Sequence, residues 1–174
     1  IPVMIMGYIL VKFNLIYQIR NIRVIGWTTF LFGILLYLSD KSNIQKKIKL
    51  NFTFKSAIII GLFQVLSLIP GVSRSGITIT GARFLKFNRF DAAKISFLLS
   101  IPTLAIVSIF GLNNLINSNS LNFSFLMIIS IIVSFVISYI TIKYFLKYIK
   151  KFSLNIFVIY IVLLGIFLLI ISYS

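Results

Sequence analysis

The chain has 174 residues, 60% of them hydrophobic, and a mean hydropathy of +1.10, which leaves too little polar surface for a soluble domain of this length. It contains no cysteine and no histidine, so a thiol nucleophile, an imidazole base and a zinc-type site are excluded within these residues. Seventeen Lys and Arg face two acids, Asp40 and Asp91. The basic residues punctuate apolar spans and form no stripe with interleaved aromatics, a pattern that points away from nucleic acid and toward anionic phospholipid headgroups.

In chain order, the first apolar run spans Ile1 to about Tyr17 and is interrupted by Lys12, read as a snorkelling side chain. No charged region precedes it, so it is no signal peptide. An abrupt start within an apolar segment implies a fragment. The next spans are Val24 to Ser39, a broken pair on either side of residue 70, Ala92 to about Leu112, Phe123 to about Ile142, and Leu154 to Tyr173. Asp91 reads as the cap of the Ala92 span, with Asn88 as a competing cap. Trp27, Tyr144, Tyr148 and Tyr173 fit an interfacial aromatic belt.

The segments Asp40 to Lys55, Arg83 to Lys94 and Lys143 to Lys151 hold five, four and four basic residues, whereas Asn113 to Asn122 holds none. If basic loops are cytoplasmic, both ends of the broken pair lie on one side of the membrane. Arg20 and Arg23 then fall on the outer side, against the rule.

The broken pair is the most informative stretch. Ser56 to Ile69 and Ile77 to Leu85 are each too short to cross a hydrocarbon layer of roughly 30 Å. Two short arms around Pro70-Gly71 read as a re-entrant hairpin over residues 56–86, and such backbone survives at membrane depth only beside protein or a watery cavity. Pro70 stops the first arm, while Gly71 and Gly76 allow a sharp turn. Ser73 or Ser75 can cap the second arm and leave free N–H groups pointing into the cavity. Arg74 adds a fork matching two phosphate oxygens, and Thr78 falls on the same side of the helix start. The same pattern fits a plain turn with capping serines and a snorkelling Arg74. Burying an arginine costs roughly 2.5 to 3.5 kcal/mol on insertion scales, which favours the anion cradle. Gln64 can reach the cavity or bond a neighbouring helix, and Ser96, Ser100 and Thr103 read as small residues permitting close helix packing.

Gln64-Val65-Leu66-Ser67-Leu68-Ile69-Pro70-Gly71-Val72-Ser73-Arg74-Ser75-Gly76-Ile77-Thr78, followed by Ser96-Phe97-Leu98-Leu99-Ser100-Ile101-Pro102, resembles the undecaprenyl-diphosphate phosphatase (bacitracin-resistance) family. Phe157-Val158-Ile159-Tyr160 and Leu164-Gly165-Ile166 resemble that family's last helix. Lys94 and Ile161 depart from it, standing where an acid and an arginine are common. The resemblance implies an all-α polytopic membrane protein, transmembrane helices plus a re-entrant hairpin, forming the second half of an inverted-repeat architecture. It implies a single membrane domain, 1–174, lacking roughly the family's N-terminal third. The implied activity is hydrolysis of undecaprenyl diphosphate in the bacterial inner (plasma) membrane, recycling the lipid carrier of cell-wall synthesis. A non-catalytic lipid-phosphate carrier or transporter of the same architecture is the alternative.

On this resemblance Ser73, Arg74 and Thr78 are the catalytic candidates. Gly71, Ser73, Arg74, Ser75 and Gly76 bind the phosphate, and Gln64 supports them. A divalent cation, Mg2+ or Ca2+, is expected with its ligands in the absent first repeat, together with the general base. The resemblance is also compatible with a homodimer.

Overall fold

The computed structural model describes residues 2–13, 21–41, 46–117 and 125–173. Ile1, Tyr17, Arg20, Asn122 and Phe123, which enter the expectations above, lie outside them. Eight α-helices follow one another through the described residues: α1 (Pro2–Lys12), α2 (Ile22–Asp40), α3 (Ile48–Asn51), α4 (Phe54–Val65), α5 (Arg74–Phe84), α6 (Arg89–Asn117), α7 (Phe125–Lys151) and α8 (Asn155–Tyr173). The only extended pairing among them is an isolated bridge between Lys46 and Phe87.

Helices α2, α6, α7 and α8 contain stretches long and apolar enough to cross a membrane, namely Ile22–Asp40, Arg89–Asn113, Met127–Lys151 and Asn155–Tyr173. The chain is therefore an all-α polytopic membrane protein. Helices α2 and α8 form the most extensive pair. Glycine brings them together: a Cβ on Gly165 would stand 2.7 Å from the Phe30 backbone nitrogen. Small residues at such a seam let backbones approach where no aqueous hydrophobic effect drives association.

Helices α4 and α5 are the two arms of the broken pair. Thr53 caps α4 by accepting from Ser56 N at 3.2 Å. The arm then tightens into one turn of 3-10 helix, Leu66–Leu68, before Ile69 turns extended ahead of Pro70. The arms pack so closely that a Cβ on Gly81 would meet Phe63 at 2.7 Å. The segment leading into α3 bonds to the end of α5, with Lys46 N donating to Lys86 O at 2.8 Å and Asn88 N to Lys46 O at 3.0 Å. The fully buried Phe87, Ile60 and Leu154 mark the core around that end.

Several boundaries differ from expectation. Helix α7 runs nine residues past Ile142, so the basic segment Lys143 to Lys151 is helical rather than a loop. Lysine is a good helix former, and Phe145 and Tyr148 pack edge-on against Phe157 at 5.1 and 5.9 Å. Tyr148 thereby belongs to the core, not to an interfacial belt. Helix α6 also continues to Asn117, through Pro102 and into the segment expected as the polar loop. Asn88 wins the competition for its cap: Asn88 Oδ1 accepts from Asp91 N at 2.8 Å, and Asp91 turns its carboxylate to Asn88 Nδ2 and Ile48 N.

Candidate functional site

The turn between α4 and α5 is built by three local choices. Pro70 supplies no N–H, Gly71 takes φ +90, and Ser73 caps α5 by accepting from Gly76 N at 3.3 Å. Gly71 is required twice over, since a Cβ there would meet Thr28 Oγ1 and lie 2.6 Å from Ile25 O. Of the two serines, Ser73 is the cap. Gly76 does not turn the chain; it is helical, and its bare Cα lets Ser73 close over the helix start, where a Cβ would come within 3.2 Å of Ser73 Cβ.

Helix α2 holds the turn in place. Thr28 Oγ1 donates toward Pro70 O at 2.6 Å, and Thr29 Oγ1 lies 3.1 Å from Gly71 O. Sequence reading missed both threonines. Their signal is a polar pair in the middle of an apolar span, which is easily taken for ordinary back-bonding to the preceding turn; Thr29 indeed also reaches Ile25 O at 2.7 Å.

Two cavities flank the start of α5, and Ser75 lines both. One, of about 300 Å³, is polar on its α5 and α6 sides, with Arg74, Thr78, Ser96 and Ser100 among its lining, and Gln64 contributed by α4. The other, of about 520 Å³, is an apolar groove between α2, α7 and α8 that ends on Gly71, Ser73 and Gly76.

Arg74 is half-buried, yet its Nη1 is buried and has no hydrogen-bond partner among the described residues. A charged donor left in that condition costs more than the ~1–3 kcal/mol of a neutral one, so the position has room for a partner from outside the described residues. Below it, Thr78 is buried and its Oγ1 lies 2.6 Å from Ser96 Oγ and 2.9 Å from Arg74 O. Thr78 and Ser96 thus brace the first turn of α5 from behind. Gln64 Nε2 donates to Thr103 Oγ1 at 3.1 Å, so it both lines the cavity and ties α4 to α6. The Ser96 and Thr103 hydroxyls accordingly do more than permit close packing. Lys94 is exposed and apart from the cavity.

At the far end of α5 a second arginine is held by carbonyls and a carboxylate of the protein. Arg83 donates through Nη1 to Phe87 O at 2.7 Å and through Nη2 to Asp40 O at 2.9 Å, with Nε 3.4 Å from Asp40 Oδ1. Burial pushes this guanidinium, at the loop end of a helix that does not span, below the ordinary arginine range; Asp40 opposes the shift and Arg89 adds to it. Asp40, expected in a loop, is the last residue of α2 and is buried. Its carboxylate also accepts from Arg89 Nε at 2.7 Å and from Leu154 N at 3.2 Å. Both acids of the chain are therefore engaged in tying helix ends. Among the described residues no group of His, Cys, Asp or Glu gathers as a metal site.

A polytopic helical membrane protein with a capped, cationic helix start facing a polar cavity is the class these features define. The sequence profile of the family "Bacitracin resistance protein BacA" matches residues 1–167, and the chain belongs to that family. It is 53% identical over 175 residues to the undecaprenyl-diphosphatase of Pelagibacter ubique (strain HTCC1062), covering 100% of this chain and 68% of that protein. It is 37% identical over 174 residues to the undecaprenyl-diphosphatase of Jannaschia sp. (strain CCS1), covering 100% of this chain and 65% of that one. The chain thus spans about two thirds of the length of these relatives.

Proposed function

We propose that this protein hydrolyses undecaprenyl diphosphate to undecaprenyl phosphate and inorganic phosphate in the bacterial plasma membrane, renewing the lipid carrier of cell-wall synthesis. The observation that carries this reading is Arg74 at the start of α5, which lines a cavity bearing hydroxyls and an amide and keeps a buried Nη1 without a partner among the described residues. The names of the relatives supply the substrate.

In this reading the diphosphate sits at the helix start. Arg74 clamps its oxygens, the N–H groups behind Ser73 and Ser75 add donors, and Thr78 keeps the first turn in register. The apolar groove that ends on Gly71 and Ser73 takes the first isoprene units. Water adds to the terminal phosphorus, the bond to the bridging oxygen breaks, and undecaprenyl phosphate departs with the chain. Ser73 is the nearer hydroxyl to attack or donate, but its Oγ has only Ser75 Oγ at 3.5 Å, which is no base. With no histidine in the chain and both carboxylates engaged, the general base is not among these residues.

The test is phosphate release from a short-chain prenyl diphosphate by the complete gene product. Arg74→Ala is expected to lower it by about two to three orders of magnitude, with little rescue by lysine, which lacks the bidentate fork. Near wild-type turnover at matched membrane abundance would remove Arg74 from the site. Binding without turnover by the parent protein would favour a carrier.

The helical hairpin α4–α5 is proposed to enter and leave the membrane on one side. The segment before α3, at Lys46, bonds to Lys86 and Asn88 just after α5, which supports that reading. Single cysteines at Asn51 and Asn88 are expected to react with an impermeant thiol reagent from the same face. Labelling from opposite faces would show that the pair crosses.

A further inference from the structure

A second cationic recess lies at the opposite end of the hairpin from Arg74. It has a volume of about 250 Å³ and is lined by Tyr37, Asp40, Lys41, Arg89, Ser153 and Asn155. Three apolar spans end or begin around it: α2 at Asp40, α6 at Arg89 and α8 at Asn155. That places it at the level where hydrocarbon gives way to headgroups.

Its charge is lopsided. Asp40 is the only acid in the lining, and its carboxylate is held by Arg89 Nε at 2.7 Å, Leu154 N at 3.2 Å and Arg83 Nε at 3.4 Å. Asp91 is turned away to Ile48 N and Asn88. Arg83 and Arg89 together outweigh Asp40, and Lys41 adds a further positive charge, its Nζ 4.7 Å from the centre of the Tyr37 ring. Arg89 lines the recess and keeps 35% of its side-chain surface exposed while its Nε is fixed on Asp40, so its guanidinium is held in place and still accessible. The Ser153 hydroxyl, the Asn155 amide and the Tyr37 phenol stand around these cations as neutral hydrogen-bonding groups.

We infer that this recess binds the phosphodiester of an anionic phospholipid headgroup. A fixed guanidinium edge and a mobile ammonium suit a phosphodiester, and the neutral donors suit the hydroxyls of a glycerol-type head. The exposed apolar faces of the flanking helices, including Leu38 and Ile156, accompany the acyl chains away from it. Bound there, a lipid joins the ends of α2, α6 and α8 without touching the Arg74 cavity.

Native mass spectrometry of the purified protein, in detergent doped with equal amounts of phosphatidylglycerol and phosphatidylcholine, tests this. One phosphatidylglycerol is expected to be retained in preference to phosphatidylcholine. Lys41→Gln is expected to lower that preference about fivefold, the scale of one basic residue near an anionic surface, and Lys41→Arg to preserve it. Lys55→Gln makes the same charge change at the start of α4 and is expected to leave the preference intact. Excess inorganic phosphate is expected not to displace the lipid. Equal losses in Lys41→Gln and Lys55→Gln would reduce the effect to diffuse surface charge and overturn the site, as would equal retention of both lipids by the parent protein. Displacement by inorganic phosphate would make the recess a free-anion site and overturn the lipid assignment. The readout is lipid retention, so it stands apart from the loss or survival of phosphatase turnover.

Discussion

Helix α5 carries one arginine in its first turn and another in its last, and the two have opposite surroundings. Arg83 donates to two carbonyls and pairs with a carboxylate, while Arg74 leaves a buried nitrogen empty. Arg83 is buried and Arg74 half-buried, so the more deeply placed of the two is the one the protein supplies with carbonyl and carboxylate partners. A guanidinium whose partners all come from the protein fastens the fold. One with a buried nitrogen left open among the described residues carries a cost that a partner from elsewhere would relieve.

The sharpest way to break that contrast is to remove each arginine and measure stability. Arg83→Ala is expected to destabilise the folded state by about 2 to 4 kcal/mol, the cost of leaving the buried Phe87 and Asp40 carbonyls without their charged donor while Arg89 still holds the Asp40 carboxylate, read as a lower thermal midpoint in detergent. Arg74→Ala is expected to leave that midpoint unchanged or raise it, because it removes an unsatisfied charge. A fall as large as that of Arg83→Ala would put Arg74 in the same structural class. A smaller effect is expected from Thr28→Val, which keeps the shape and deletes the hydroxyl on Pro70 O. Phosphate release by the complete gene product should fall roughly three- to tenfold, the equivalent of a hydrogen bond contributing ~0.5–1.5 kcal/mol. An unchanged rate would mean the turn holds its form without α2.

The smallest effect belongs to Lys86. With φ 70, it occupies the left-handed position just after α5, and Lys86 N to Arg83 O and Phe87 N to Ala82 O complete a Schellman-type end. Lys86→Gly removes a Cβ penalty of ~1–2 kcal/mol but gives back part of it in chain entropy, for a net gain of about 0.5–1 kcal/mol. A loss instead would show that the lysine side chain itself fastens this end.

The turn was legible in sequence because proline, glycine and serine carry their geometry with them: Pro70, Gly71 and Ser73 stop, turn and cap whatever surrounds them. Arg74 was legible because an arginine between apolar arms has few innocent explanations. Asp40 was not legible. An acid at the end of an apolar span looks the same whether it faces water or turns inward, and its partners Arg83, Arg89 and Leu154 are brought to it only by the fold. Thr28 and Thr29 were hidden for a related reason, since a threonine in a helix can always satisfy itself on the preceding turn. The end of α7 was misplaced because hydropathy marks where lipid stops, and a lysine-rich helix continues past that point.

The bond from Leu154 N to Asp40 Oδ2 joins residues separated by 114 positions, and the α2–α8 seam at Gly165 lies farther along still. During synthesis, then, α2 with its two threonines and the whole α4–α5 hairpin are made before the helix that clamps α2 exists. Until α8 inserts, Asp40 has Arg83 and Arg89 but not its backbone partner, and α2 lacks the surface against which its glycines close. The turn between α4 and α5 is consequently among the last parts of these residues to acquire its final shape, although it is made well before α8. A nascent chain lacking α8 carries every residue of the turn and not yet the support that sets them.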